Sequence, residues 1–227
     1  MAAGALYARV PTPPGEPAGG VACQDQNEGL TVSVVSVRGS AGPYGWCMTE
    51  TASDLVQRLT AIVPDFPKPG ILFRDVTPVF ADAVAFGRVC EALAAPFAVG
   101  GGFAAVAGIE ARGFALAGGI AAQHQVGVLT VRKAGKLPGE VLSEQYALEY
   151  GEAELELRPA QLPAGTRVLV VDDVLATGGT GAATITLLER AGYEAIGFAA
   201  LLELDGLSGR ERLESRLPVT TLGAVPA

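Results

Sequence analysis

Beyond residue 50, apolar and polar positions fall into short periodic stretches. Residues 55–63 carry the spacing of an amphipathic helix, and residues 49–54 before them have helix-start chemistry. Residues 81–96 predict a second helix whose apolar positions Val84, Phe86, Val89 and Leu93 pack on a sheet. Residues 103–109 and 126–131 read as buried strands separated by a small-residue helix over 114–123. Residues 143–150 and 153–157 alternate with period two on either side of Gly151, the pattern of a hairpin. Residues 168–171 are apolar throughout, as a parallel strand covered on both faces is. A helix from 182 to 190 stopped by Gly192, a strand over 194–203 and a short helix over 207–213 follow. Strands alternating with helices predict an α/β fold with a mostly parallel central sheet flanked by helices.

Residues 1–47 break this pattern. Pro11, Pro13, Pro14 and Pro17 with Gly15, Gly19 and Gly20 leave one β-like run, residues 30–37, and a composition that could not bury a core alone. The expected domain therefore spans 48–227, beginning at Met48. Residues 1–47 are expected to be an extension, either a disordered tail or an upstream mis-start of the reading frame.

Composition narrows the partners. With 227 residues and 49% hydrophobic content, one domain plus appendages is expected. Sixteen Lys and Arg against 24 Asp and Glu give a formal charge of −8, which argues against nucleic acid as a general partner and makes any polyanion site local. Cys23, Cys47 and Cys90 are too scattered for a disulfide framework, and with His124 as the single histidine, read as helix-end surface, no zinc spacing exists. No apolar run reaches the roughly 20 residues of a membrane span. The start lacks a secretory pattern, so a cytoplasmic protein is expected.

The chemistry concentrates after residue 168. Asp172 and Asp173 stand where the buried run stops, at the strand edge where open α/β sheets place ligands. Ala176, Thr177, Gly178, Gly179 and Thr180 then turn into a helix. Small side chains expose backbone N–H groups, the threonines add hydroxyls, and the helix start adds positive dipole, a combination suited to a phosphate. Carboxylates beside such a loop suit neutral hydroxyls, such as a ribose pair, or a metal's waters. A phosphorylated sugar fits both halves. The turn has no lysine, which excludes a nucleoside-triphosphate P-loop, and its glycines do not match a dinucleotide fingerprint.

Other segments add to this site. Pro67 and Pro69 stiffen residues 65–75, from which Phe66 and Phe73 project to stack on a planar base or, alternatively, to fill core. Arg112, after the strand ending at residue 109, offers a fork of donors to phosphate oxygens or to a surface carboxylate. Arg132, Lys133 and Lys136 with Gly135, Pro138 and Gly139 read as a mobile basic lid over a polyphosphate, or as a charged turn. Glu149, between Leu148 and Tyr150, is a carboxylate poised by desolvation for proton transfer, or a solvent-facing one.

Taken together, these motifs resemble the adenine branch of the type I phosphoribosyltransferases: Asp65-Phe-Pro-x-Pro-Gly-x-x-Phe-Arg-Asp75, Arg112-Gly-Phe, Arg132-Lys-x-Gly-Lys-Leu-Pro-Gly139, Tyr146-x-Leu-Glu-Tyr-Gly151 and the 168–180 signature. The likeness runs from about residue 50 to 214. It departs at residues 1–47, which have no family counterpart, and at Glu110-Ala111, where many members carry Asp-Ser. The resemblance implies a small hood, a flexible lid loop and transfer of a phosphoribosyl group from phosphoribosyl pyrophosphate (PRPP) to adenine. By it, residues 176–180 hold the 5′-phosphate, Asp172 and Asp173 the ribose hydroxyls, and Arg112, Arg132, Lys133 and Lys136 the pyrophosphate. Phe73 stacks on adenine, the Leu72 backbone and Arg74 lie at the base pocket, and Glu149, with Tyr150 beside it, meets the base. Glu149 and Arg112 are then the catalytic groups. Mg²⁺ is implied as cofactor, held mainly through PRPP with Asp172 as the protein's contact, and a homodimer is implied as the assembly. Two rivals are a 6-oxopurine enzyme of the same class and a non-catalytic PRPP- or purine-sensing regulator. Against the regulator stand the complete basic loop, Glu149 and the lack of a basic face or helix-turn-helix pattern in residues 1–47.

Overall fold

The computed structural model describes residues 50–148 and 151–226. The expectation for residues 1–47 therefore lies outside the described residues. Helix α1 (Ala52–Leu59) opens on a capping box: Thr51 Oγ1 accepts the Asp54 N–H at 3.1 Å, and the Asp54 carboxylate accepts the Thr51 N–H at 2.8 Å. The helix does not run on to Val63 as its periodicity predicts. β-Branched residues before Pro64 favour extended backbone, and strand β1 (Ala61–Pro64) pairs antiparallel with β2 (Leu72–Asp75), from Ala61↔Asp75 to Pro64↔Leu72. This two-stranded hairpin forms a small hood.

A short helix, α2 (Thr77–Ala81), was not predicted; Pro78 in its first turn presets the backbone. Helix α3 (Ala83–Ala94) is capped by Asp82, whose carboxylate accepts the N–H groups of Val84 and Ala85. Because the helix begins at Ala83, Val84 lies in the solvent-side first turn and is 46% exposed, contrary to its predicted packing. Val89 and Leu93 are buried as predicted, Phe86 packs partly buried against the same cluster, and Ala85 and Cys90 complete the buried face.

The remaining elements are β3 (Ala105–Ile109), α4 (Arg112–His124), β4 (Gly127–Lys133), β5 (Leu142–Leu148), β6 (Gly151–Leu157), β7 (Arg167–Leu175), α5 (Gly179–Arg190), β8 (Glu194–Asp205), α6 (Gly209–Glu214) and β9 (Val219–Pro226). The large sheet has the order β5-β6-β4-β3-β7-β8-β9. Strands β4, β3, β7, β8 and β9 run parallel, and the β5–β6 hairpin joins β4 antiparallel. Sequence patterning missed β9, a glycine- and proline-containing strand of the kind tolerated at a sheet edge.

Strand alternation divides the core between the sheet's two faces. On β7, Leu169 and Val171 join the cluster that includes Leu116 and Ile120 of α4, while Val168 and Val170 join Ile185 and Leu188 of α5. Each such fully buried side chain contributes about 1.5–3 kcal/mol through removal from water. His124 ends α4 as expected, but it is more than surface: its ring lies 5.1 Å from that of Phe103 and its Nε2 3.6 Å from Glu91.

Candidate active site

Strand β7 carries the site. Its ladder with β3 ends at Gly108↔Val171, while its ladder with β8 continues to Leu175↔Glu203. The strand therefore does not stop at Asp172 as its apolar run predicts; support continues on one side only. Asp172 and Asp173 sit where the sheet opens toward β3, at 9% and 8% exposure. Asp172 Oδ1 accepts the Asp173 N–H at 2.9 Å. Burial, reinforced by the negative charge of Asp173, pushes the Asp172 carboxyl well above the usual carboxylate range.

Arg112 reaches this pair from the start of α4. That helix begins unusually close to the sheet: a Cβ on Gly113 would lie 2.7 Å from the Val171 carbonyl oxygen, and one on Gly108 would lie 2.7 Å from the Gly113 carbonyl oxygen. Arg112 Nη2 stands 2.8 Å from Asp173 Oδ2, and its guanidinium carbon 5.5 Å from the Phe73 ring centroid. The Arg112–Asp173 contact is Coulombic without hydrogen-bond alignment, so the buried Oδ2 retains its capacity to accept a ligand hydroxyl. Of the two partners the sequence leaves open for Arg112, the structure shows a carboxylate, that of Asp173 at the end of β7 rather than one on the surface.

After β7, Gly178 caps α5 with φ +73° and no side-chain cap, which leaves first-turn N–H groups for an anion. Ala176, Thr177, Gly178, Thr180 and Asp172 line a cleft of about 450 Å³. The loop is shaped from below by α6. A Cβ on Gly209 would lie 2.0 Å from the Ala176 carbonyl oxygen, and one on Gly178 would lie 2.8 Å from that of Gly209. Gly209 is thus a supporting residue that sequence reasoning missed.

A second cleft, of about 460 Å³, is lined by Leu72, Phe73, Arg74 and Arg112 and shares Val174 and Leu204 with the first. Phe73 is half-buried at this cleft, with its ring 5.1 Å from that of Phe66 at 72°, so it is not a core residue. The Arg74 Nε is buried without a hydrogen-bond partner among the described residues.

Arg132 and Lys133 end β4, and residues 134–141 form the basic loop. Arg132 and Lys136 turn toward a residue to which sequence reasoning gave no role. Glu110 takes Lys136 Nζ at 2.5 Å, Arg132 Nε at 3.4 Å and the Lys133 backbone N–H at 3.0 Å. The hydrogen bond from Lys136 leads the influences that hold the Glu110 carboxyl below its ordinary range. The signal was present in the sequence: Glu110 follows the buried β3 as Asp172 follows the apolar run of β7. Glu156 supports the other side of the loop, its Oε1 accepting the Gly135 N–H at 3.0 Å. Glu149 and Tyr150 lie outside the described residues.

A family model described as phosphoribosyl transferase domain matches residues 85–219. The chain is 62% identical over 167 residues to an adenine phosphoribosyltransferase of Clavibacter michiganensis subsp. michiganensis, covering 73% of this chain and 94% of that protein. It is 49% identical over 170 residues to one from Streptomyces clavuligerus, covering 75% and 95%. The crystal structure of adenine phosphoribosyltransferase from Rhodothermus marinus superposes with a TM-score of 0.72 at 46% identity, covering 77% of this chain and 98% of that one. The Saccharomyces cerevisiae enzyme, complexed with an imino-altritol bisphosphate and adenine, superposes with a TM-score of 0.70 at 36% identity, covering 75% and 98%.

Proposed function

The chain belongs to the adenine phosphoribosyltransferases, and from that premise we propose how its own residues convert adenine and PRPP to AMP and pyrophosphate. The observation that carries the reading is the junction of two clefts at the end of β7, one built for a phosphate and the other lined by Phe73. Ala176, Thr177, Gly178, Gly179 and Thr180 take the 5′-phosphate. Asp172 and Asp173 accept hydrogen bonds from the ribose hydroxyls. Adenine lies against Phe73, beside the Leu72 backbone and Arg74, and Glu149 and Tyr150 are assigned to the same base.

As the bond from ribose C1′ to pyrophosphate breaks, positive charge grows on the sugar and negative charge on the leaving group. Arg112, Arg132, Lys133 and Lys136 stabilise that departing charge more than they stabilise intact PRPP, which is what lowers the barrier. The loop over the site excludes water, which would otherwise capture the sugar. Glu149 takes the proton that adenine loses as its N9 attacks.

Mg²⁺ is the cofactor of this reading. The adjacent carboxylates of Asp172 and Asp173 at the end of β7 are hard oxygen donors of the kind that ion takes, which fits an ion carried by PRPP with Asp172 as the protein's contact. When bound, the ion adds positive charge at the pyrophosphate. Residues 48–227 constitute the enzyme domain, acting as a homodimer in the cytoplasm. Among the described residues no helix is long and apolar enough to cross a membrane.

The test is turnover of adenine, hypoxanthine and guanine by the purified protein with PRPP and Mg²⁺, with sedimentation for the dimer. Adenine is expected to be consumed selectively. PRPP binding without turnover of any base would instead favour the regulator.

A further inference from the structure

Glu110 gathers Arg132 and Lys136, two of the four cations that the reading above assigns to pyrophosphate. Its side chain is only 9% exposed, and both oxygens are engaged: Oε1 by Lys136, Oε2 by Arg132 and by the Lys133 N–H. Two cations and one backbone donor converging on a planar anion make a receptor for a phosphate group, filled here by a side chain. The opposite wall holds the same segment, since Glu156 accepts the Gly135 N–H and the Glu154 carbonyl accepts the Ala134 N–H at 3.1 Å. The basic loop is therefore fastened at its base on both sides, and Arg132 and Lys136 are directed at Glu110.

We propose that Glu110 is an intramolecular stand-in for the leaving group, a latch that holds Arg132 and Lys136 until pyrophosphate oxygens displace its carboxylate. Pyrophosphate carries more charge and more acceptor oxygens than one carboxylate, so it wins the cations when present. It wins by less than it would against water. Its apparent affinity is the intrinsic affinity multiplied by the unlatched fraction. The same competition favours release of pyrophosphate after transfer, when Glu110 recaptures the loop.

The proposal rests on the assignment of Arg132 and Lys136 to pyrophosphate, and its test separates the two. Inorganic pyrophosphate with Mg²⁺ is titrated calorimetrically into the wild type, Glu110→Gln and Lys136→Ala, and the free proteins are digested with trypsin, which cuts after Lys133 and Lys136. Glu110→Gln is expected to bind pyrophosphate on the order of three- to tenfold tighter and to be cut faster in the free state. Lys136→Ala is expected to bind it more weakly. Weaker or unchanged pyrophosphate binding by a folded Glu110→Gln overturns the latch, and so does tighter binding without faster cutting of the free protein, since loss of any nearby negative charge would tighten an anion while leaving the loop held. If Lys136→Ala also binds normally, the pyrophosphate assignment has failed and the latch falls with it. Should Glu110→Gln not fold, Glu110→Asp keeps the charge but withdraws it from Lys136, and the same tightening is required of it.

Discussion

At Asp172, the placement proposed to serve a ligand works against folding. Its carboxyl is buried against Asp173 and its folded-state pKa is raised. The cost of ionising it is absent below the unfolded value of about 3.9, grows as pH rises toward the folded value, and is complete above that. Asp172→Asn removes the charge and can still accept the Asp173 N–H. We therefore expect it to raise Tm at neutral pH, by about 2–4 °C per kcal/mol gained for a domain of this size. The gain should shrink as pH falls toward 4 while PRPP binding weakens at every pH; a lower Tm at pH 7 would contradict it. Glu149→Leu is expected to reduce kcat by about 10²–10⁴-fold, the range for loss of a general acid or base, with PRPP affinity preserved because its contacts lie on other segments. Steady-state rates with adenine beside calorimetric PRPP titration check this, and wild-type turnover in a folded variant would refute the role.

Among the elements, the loop proposed to take the phosphate rests on the backbone of α6. The α6 backbone at Gly209 lies so close to Ala176 that an added Cβ would meet the carbonyl oxygen at 2.0 Å. Backbone on both sides must move, so Gly209→Ala should destabilise the fold by about 1–3 kcal/mol and raise KM for PRPP. Gly118→Ala is the control: exposed in α4 with nothing within 4 Å of its Cβ, it should raise Tm slightly and leave kinetics unchanged. Unchanged KM for PRPP in Gly209→Ala would separate α6 from the loop. Such a support is illegible in sequence, because a glycine's nearest neighbour across the fold leaves no trace in local periodicity. Long apolar runs fared better: β3, β7 and β8 were legible because burial on both faces leaves few polar choices. The β1–β2 hairpin was hidden because Ala61 and Ile62 continue the helical spacing of α1, and only Pro64 hints at the break. In the site, the clustering of Asp172, Asp173 and residues 176–180 could be read locally. The pairing of Glu110 with Lys136, 26 residues apart, required the sheet to bring β3 beside β4.

For the whole molecule, the question is how much chain the enzyme needs. About three-quarters of this chain covers nearly all of the Rhodothermus enzyme, and the motifs assigned to chemistry lie at residue 65 or beyond. The described core begins with α1, whose anchors are close to its start. Thr51 caps it, Arg58 Nε meets Glu50 Oε1 at 2.7 Å, and Arg88 donates to the Glu50 carbonyl oxygen. Leu55 and Val56 of the same helix are fully buried. A chain beginning at Met48 keeps all of these contacts. It is expected to match the full chain in Tm and in adenine turnover. A chain beginning at Ser53 loses Glu50 and Thr51 together, leaving the first-turn N–H groups of α1 uncapped and Arg88 without that carbonyl. Loss of the cap alone costs about 1 kcal/mol, so this second truncation should melt a few degrees lower. Its turnover per folded molecule should be normal, since α1 packs against α3 and β9 rather than on the phosphate loop. Thermal melts and adenine kinetics on the three chains decide the matter. A large fall in Tm or turnover already at Met48 would show that residues 1–47 belong to the working enzyme.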